Sequence, residues 1–244
     1  MCIRDRGCTP FLVGYRRCFA TLEAAQSALG SHTGDGHSNR RNIDIHAALS
    51  DRPRESDYAA FYHLMPRVQG VRSVFDLGGN IGNLYYYYRR YLDWPADLRW
   101  RVMDLPDVIE AGRRTAKERQ ASGLSFTTRF DDASGCDLLI ASGALHYFAE
   151  PLPEMIKRLE CKPRYVLINR TPFTTGPAFA TVQDAGSFRV ACMVYNKPEL
   201  LRQFELMGYR TIDEWEAAEL SLTLPLDPER SPGPYAGMFL ERSC

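Results

Sequence analysis

The sequence has no excess of either charge: 30 Lys and Arg stand against 30 Asp and Glu. That balance argues against a general nucleic-acid or membrane-surface binder, which would carry a basic bias. No apolar run approaches the roughly 18 residues of a membrane span. The seven cysteines are scattered, odd in number and never arranged as C-x-x-C. Neither a zinc ribbon nor a disulfide framework is therefore expected, and a reducing, cytoplasmic setting is. The five histidines form no H-x-x-x-H and no mixed Cys/His cluster, so no metal site is expected. P-loop, G-x-S-x-G and dinucleotide G-x-G-x-x-G patterns are also missing.

What remains is a chain of 244 residues, 45% hydrophobic, able to build a full core. The first six residues, MCIRDR, match the translation of a transposon end used in sequencing libraries, so residues 1–13 are set aside as an artefactual or disordered start. A leader of residues 14–70 follows. Within it, 20–30 has helical composition and Tyr58 to Met65 reads as a second helix. Residues 31–57 are polar and rich in turn formers, with one helical turn expected near Ile43–Leu49.

From Val71 the grammar changes. Short apolar runs (VRSVFDLG, LRWRVMDL, LSFTTRF, CDLLIASG, RYVLINR) alternate with helical patterns. That βαβα order implies a mainly parallel sheet with helices on both faces. After a helix stopped by Gly208, the runs RTIDEWEA and YAGMFLERS are joined only by a loop, so they must pair antiparallel if they are neighbours. The expected domain, 71–244, is a sheet closed by a reversed hairpin.

The first of these runs leads into Asp76, Gly78, Gly79, Asn80 and Gly82, and then into a helix. Gly78 can take backbone angles that side chains forbid, and Gly82 lets the helix start close to the strand or a ligand. Asn80 holds a middle slot where left-handed backbone is tolerated best by Asn after Gly. Asp104 ends the second run, where a carboxylate can accept both hydroxyls of an adenosine ribose. Phe130 and Asp131 end the third, where an aromatic face and an acid can meet an adenine. In open parallel sheets, ligands bind at this edge.

This constellation resembles the class I S-adenosylmethionine-dependent methyltransferases. From Gly14 onward, the blocks GYRRCFATLEAA, DLGGNIGNLYYYYR, WRVMDLPDVIEAG, LIASGALHYF, INRTPF and ELMGYRTIDEW are similar to a family of bacterial methyltransferases associated with surface-polysaccharide gene clusters. The chain departs from that family at His146, where Gln is usual, and in Phe188 to Asn196. The resemblance implies a Rossmann-like, seven-stranded, mainly parallel sheet. It also implies S-adenosyl-L-methionine as cofactor and a small-molecule or glycan acceptor methylated on oxygen. Asp76, Gly78, Gly79, Asn80, Gly82, Asp104, Phe130, Asp131, Ser142 and Gly143 are the expected cofactor contacts. His146, past the fourth run, is the candidate general base, with Tyr147 as an aromatic wall near the sulfonium. Arg170 is a candidate fork for an acceptor carboxylate or phosphate. The loop from Thr174 to Arg189, with Gln183 and Asp184, is a candidate lid. A nucleotide-dependent oxidoreductase and a non-catalytic methyltransferase-like binding subunit are the rival readings.

Overall fold

The computed structural model describes residues 2–3, 11–12, 14–29, 53–184 and 189–243. The helical turn expected near Ile43–Leu49 lies outside them. In chain order the elements are β1 (Cys2–Ile3), β2 (Phe11–Leu12), β3 (Gly14–Phe19), α1 (Leu22–Ser27), α2 (Glu55–Leu64), β4 (Ser73–Leu77), α3 (Asn83–Tyr91) and β5 (Arg99–Met103). Then come α4 (Pro106–Glu118), β6 (Leu124–Thr127), β7 (Leu138–Ser142), α5 (Leu152–Lys157), β8 (Tyr165–Thr171), β9 (Phe173–Thr174), β10 (Phe179–Asp184) and β11 (Arg189–Asn196). The chain closes with α6 (Lys197–Leu206), β12 (Tyr209–Leu222) and β13 (Gly233–Arg242).

The main sheet has seven strands in the order β12-β13-β8-β7-β4-β5-β6. Strands β8, β7, β4, β5 and β6 run parallel, and β13 is inserted antiparallel between β8 and β12. The central strands are buried on both faces, which is why β4, β7 and β8 read as near-continuous apolar runs. One face packs α2, α3 and Trp100, and the other packs α5 and α6. The sheet with its reversed terminal hairpin agrees with the sequence-based expectation.

Local chemistry sets the helix ends. Thr21 caps α1 by accepting from the Ala24 N–H at 3.2 Å. Asn196 caps α6 by accepting from the Glu199 N–H at 2.7 Å, Pro198 sits in its first turn, and Gly208 (φ 84°) ends it. In α2, Asp57 at the third helical position accepts from the Arg54 N–H at 2.9 Å.

A second sheet was not anticipated. Its order is β3-β10-β11-β9, with β10 antiparallel to both β3 and β11. The candidate lid region is thus a hairpin, β10–β11, and the leader contributes β3 to it. One face of this small sheet packs α1 through Ala180, Val182 and Ala191. The other packs Phe179, Cys192 and Val194 toward Tyr235 of β13. It forms a roof over one end of the main sheet.

Candidate functional site

The strand ends define the site. Leu77 pairs with Met103 and Ala141, Ser142 with Asn169, and Thr171 with Ala236. The loops after β4, β5, β7 and β8 therefore leave the sheet along one edge, beside the start of β13. From β6 toward β13 the edge carries Asp131, Asp104, the glycine turn, Ser142 to Tyr147, Arg170 and Tyr235.

The glycine turn is a strained, close-packed piece of backbone. Gly78, Asn80 and Gly82 have φ of 69°, 56° and 93°. A Cβ on Gly78 would stand 2.3 Å from that of Ala144, so the turn touches the loop after β7. A Cβ on Gly79 would stand 2.4 Å from the Asp76 carboxylate. Only glycine lets the backbone lie over that acid.

Asp76 beneath it is 1% exposed. Its Oδ2 accepts from Trp100 Nε1 at 3.2 Å, while Oδ1 has no hydrogen-bond partner. Burial raises its pKa to about 7; Asp104 adds to the rise, and Trp100 and Arg170 oppose it. A half-satisfied buried carboxylate is costly unless something else pairs with it. Asp104 is only half-buried. Its Oδ2 accepts from the Asn80 N–H at 2.8 Å and its Oδ1 from the Leu105 N–H at 2.7 Å. Burial raises its pKa as well. Each oxygen keeps further acceptor capacity for a hydroxyl.

Helix α3 begins at Gly82 with no side-chain cap. Its first N–H groups suit an anion. Together these residues fit an amino-acid nucleoside: an unpaired acid for an ammonium, a helix start for a carboxylate and Asp104 for a ribose. Phe130 meets Phe75 edge-to-face at 5.7 Å, and Asp131 is exposed and 3.9 Å from Arg129. Its neighbour Asp132 is engaged by the Thr127 hydroxyl at 2.5 Å.

Arg170 requires a correction. The expectation was a guanidinium presented to an acceptor, but its side chain is buried and turned inward. Nη1 donates to Asp57 Oδ1 at 2.8 Å and to Ser56 Oγ at 3.3 Å, and Nη2 donates to Ser142 Oγ at 2.6 Å. Its backbone sits at φ 53°, a strained value for a non-glycine residue. Asp57, fully buried, also accepts from the Tyr87 hydroxyl at 2.8 Å, the Tyr88 hydroxyl at 3.2 Å and Asn169 Nδ2 at 3.4 Å. Burial alone would raise the Asp57 pKa, but Arg170, the Arg54 N–H and the Tyr87 hydroxyl hold it below the usual value. Burial would lower that of Arg170, and Asp57 drives it up. The pair is a closed internal junction of α2, α3, β7 and β8.

Sequence reasoning missed Asp57 and Trp100. Of the tyrosine run, Tyr87 and Tyr88 donate to Asp57. The available signal was an acid at the third position of a helix otherwise rich in aromatics.

His146 lies in the 3-10 turn Leu145–Tyr147 and is 3% exposed. Its ring centroid is 4.1 Å from that of Tyr147 and 5.8 Å from that of Tyr235. It sits under the roof, one loop away from the glycine turn. A groove of about 950 Å³ lies elsewhere, between α2 and β12, lined by Tyr58, Tyr62, Met65, Tyr91 and Ile212. The close-packed glycine turn and the unpartnered Asp76 oxygen favour that edge over this groove as the candidate site. Among the described residues no group of three His, Cys, Asp or Glu could hold a metal, and no helix is long and apolar enough to cross a membrane.

No protein-family model matches the chain, and no curated protein matches it significantly. Solved structures do. The Burkholderia thailandensis 1,6-didemethyltoxoflavin-N1-methyltransferase, bound to 1,6-didemethyltoxoflavin and S-adenosylhomocysteine, is 17% identical over 99% of this chain and 98% of its own, with TM-score 0.55. The PH0226 protein of Pyrococcus horikoshii OT3 is 17% identical over 87% of this chain and 95% of its own, with TM-score 0.53. The CcbJ methyltransferase of Streptomyces caelestis is 10% identical over 82% of this chain and 96% of its own, with TM-score 0.51. At these identities the likeness is one of fold, and the fold is the Rossmann-like one with a reversed terminal hairpin.

Proposed function

We propose that the protein is an S-adenosyl-L-methionine-dependent methyltransferase acting on an oxygen of a small-molecule or sugar acceptor. The observation that carries this reading is the unpaired Asp76 Oδ1 under Gly79, flanked by the uncapped start of α3 and by Asp104. Bound there, the cofactor supplies an electrophilic methyl group on a sulfonium. Asp76 serves its ammonium end, the α3 N–H groups its carboxylate, and Asp104 its ribose. Phe130 and Asp131, next along the edge, serve the adenine, and Ser142 and Gly143 line the opposite end. His146 receives the acceptor's proton; a neutral imidazole does this well near neutral pH. The methyltransferase neighbour solved with S-adenosylhomocysteine supports the assignment. The resemblance to polysaccharide-cluster methyltransferases favours a glycan acceptor. The free cysteines Cys18, Cys136, Cys161 and Cys192 agree with work in the cytoplasm.

Calorimetric titration with S-adenosylhomocysteine and with NAD tests the reading. Binding of the former, lost in Asp104→Ala, is expected. Tight NAD binding without a response to S-adenosylhomocysteine would establish the oxidoreductase rival. Cofactor binding with no methyl transfer from labelled cofactor to any glycan or small-metabolite fraction would establish the non-catalytic one.

A further inference from the structure

The groove between α2 and β12 stands apart from the ligand edge, and strand register fixes the separation. Asp213, in its wall, pairs with Phe239, and Phe239 pairs with Leu167 of β8. Thr171 ends β8 at the ligand edge. The four steps between Leu167 and Thr171 (171 − 167) span roughly 13 Å at the rise of a strand. Tyr91, on the other wall, ends α3, whose first turn stands at the glycine turn.

Among the described residues seven large hydrophobic side chains are exposed, and four of them line this groove: Tyr58 at 59%, Tyr62 at 74%, Met65 at 62% and Tyr91 at 45%. Apolar side chains scattered over a surface need no explanation, but a contiguous patch does. Here contiguity follows from spacing. Tyr58, Tyr62 and Met65 stand at i, i+4 and i+7, one stripe along α2. Asp57, Ala60, Phe61 and Leu64 form the stripe that is buried. Helix α2 therefore has two apolar faces, one in the core and one open. Phe61 ties the patch together, meeting Tyr58 edge-on at 6.0 Å and stacking on Tyr91 at 5.2 Å. Tyr62 stands edge-on to His63 at 5.0 Å, and the His63 ring stacks against Trp215 and Phe239. The exposed rings rest on buried ones, so little side-chain freedom is left to lose when they are covered.

The area suits a protein face. At about 200 Å² for a whole side chain of this size, the exposed fractions come to roughly 500 Å². A stable interface covers about 800 Å² on each partner, with an apolar centre and a polar rim. Glu55, Arg67 and Asp213 supply such a rim. The patch also complements itself. It sets a ridge, the open stripe of α2, beside a recess, the groove, as a two-fold contact requires. Two copies of α2 crossing antiparallel about an axis at Tyr62 place Tyr58 of each against the Met65 end of the other. The same crossing brings Glu55, in the first turn, beside the partly exposed Arg67 that follows the last turn. Each helix start then faces a helix end, and the macrodipoles attract. With 30 acidic and 30 basic residues, no net charge holds copies apart.

We infer that this face is the contact between two copies of the chain, packed two-fold through α2 and the groove beside it. The inference does not rest on the methyl-transfer reading. Both ligand edges stay open in such a pair, because they lie at the ends of the parallel strands and the contact lies toward the starts.

Sedimentation velocity over roughly 1 to 100 µM protein tests this. Wild type should pass from monomer to dimer within that range. Tyr62→Glu should weaken the dimer roughly 30-fold or more, with the melting temperature unchanged because the side chain is exposed. Glu55→Lys, which sets like charges together, should weaken it about fivefold. Leu206→Glu, at a 73% exposed leucine on α6 across the sheet, should leave it as it is. Any of four results overturns the inference: a wild-type chain still monomeric at roughly 100 µM, which leaves the groove to a different protein or to a small ligand; a dimer that Tyr62→Glu leaves intact; one that Leu206→Glu weakens as much; or one that Glu55→Lys leaves as tight as wild type.

Discussion

The two halves of the ligand edge are built on opposite terms. The half from β6 to the glycine turn is charged, backbone-strained and local: Asp76, Asp104 and three left-handed residues fall within about thirty positions. The half under the roof is aromatic, and its strands β3 and β10 come from distant parts of the chain. The first suits a zwitterionic ligand whose charges need fixed partners. The second is held by packing between segments that only the fold brings together. Arg170 and Asp57 lie where the halves meet and belong wholly to neither.

If the halves are separable, the largest effect falls on rate alone. His146→Ala should lower kcat roughly 10²–10⁴-fold while S-adenosylhomocysteine affinity, measured by calorimetry, stays unchanged; a parallel loss of affinity would show that His146 belongs to the cofactor half. Asp57→Ala should instead damage both halves, because it leaves the Arg170 charge buried and unpaired. A loss of roughly 3–5 kcal/mol is expected in urea unfolding.

Asp76 gives the next effect, with opposite signs for stability and binding. Its folded pKa of about 7 lies above the ordinary 3.8, so the folded protein holds the proton more tightly than the unfolded chain. The stability this contributes is full below pH 3.8 and is lost as pH rises through about 7. Asp76→Asn should therefore raise the melting temperature of the ligand-free protein at pH 8 and weaken S-adenosylhomocysteine binding. Wild-type affinity should rise between pH 6 and 8 as the carboxylate ionises toward the ligand's ammonium. An affinity flat across that range would detach Asp76 from the ligand. The smallest effect is expected from Tyr88→Phe, about 1 kcal/mol of stability for one of several donors to Asp57, with binding intact.

The same division explains what could be read in advance. The glycine turn, Asp104 and the reversed hairpin rest on short-range spacing and on apolar runs flanked by turns; the structure has the hairpin, and it places Asp104 beside the turn, on the Asn80 N–H. The roof does not announce itself, because β3 and β10 acquire meaning only by pairing across the chain. Nor does the fate of Arg170: it sits at the expected strand end, but Asp57, 113 positions earlier, claims its guanidinium. The four tyrosines show the same limit. Helical phase tells which of them face inward, and only the placement of α2 tells that Tyr87 and Tyr88 meet an acid there.

The pairing of β3 with β10 also sets an order of assembly. Strands β4, β5 and β6 follow one another through single crossover helices, α3 and α4, whereas the roof must join residues 14–19 to 179–184, and distant contacts come at a higher entropic cost and more slowly. The expected history of the molecule is a glycine-turn edge that forms early and a roof finished last. In pulse-labelling hydrogen exchange, amides of β4 to β6 should gain protection before those of β3, and the reverse order would refute this.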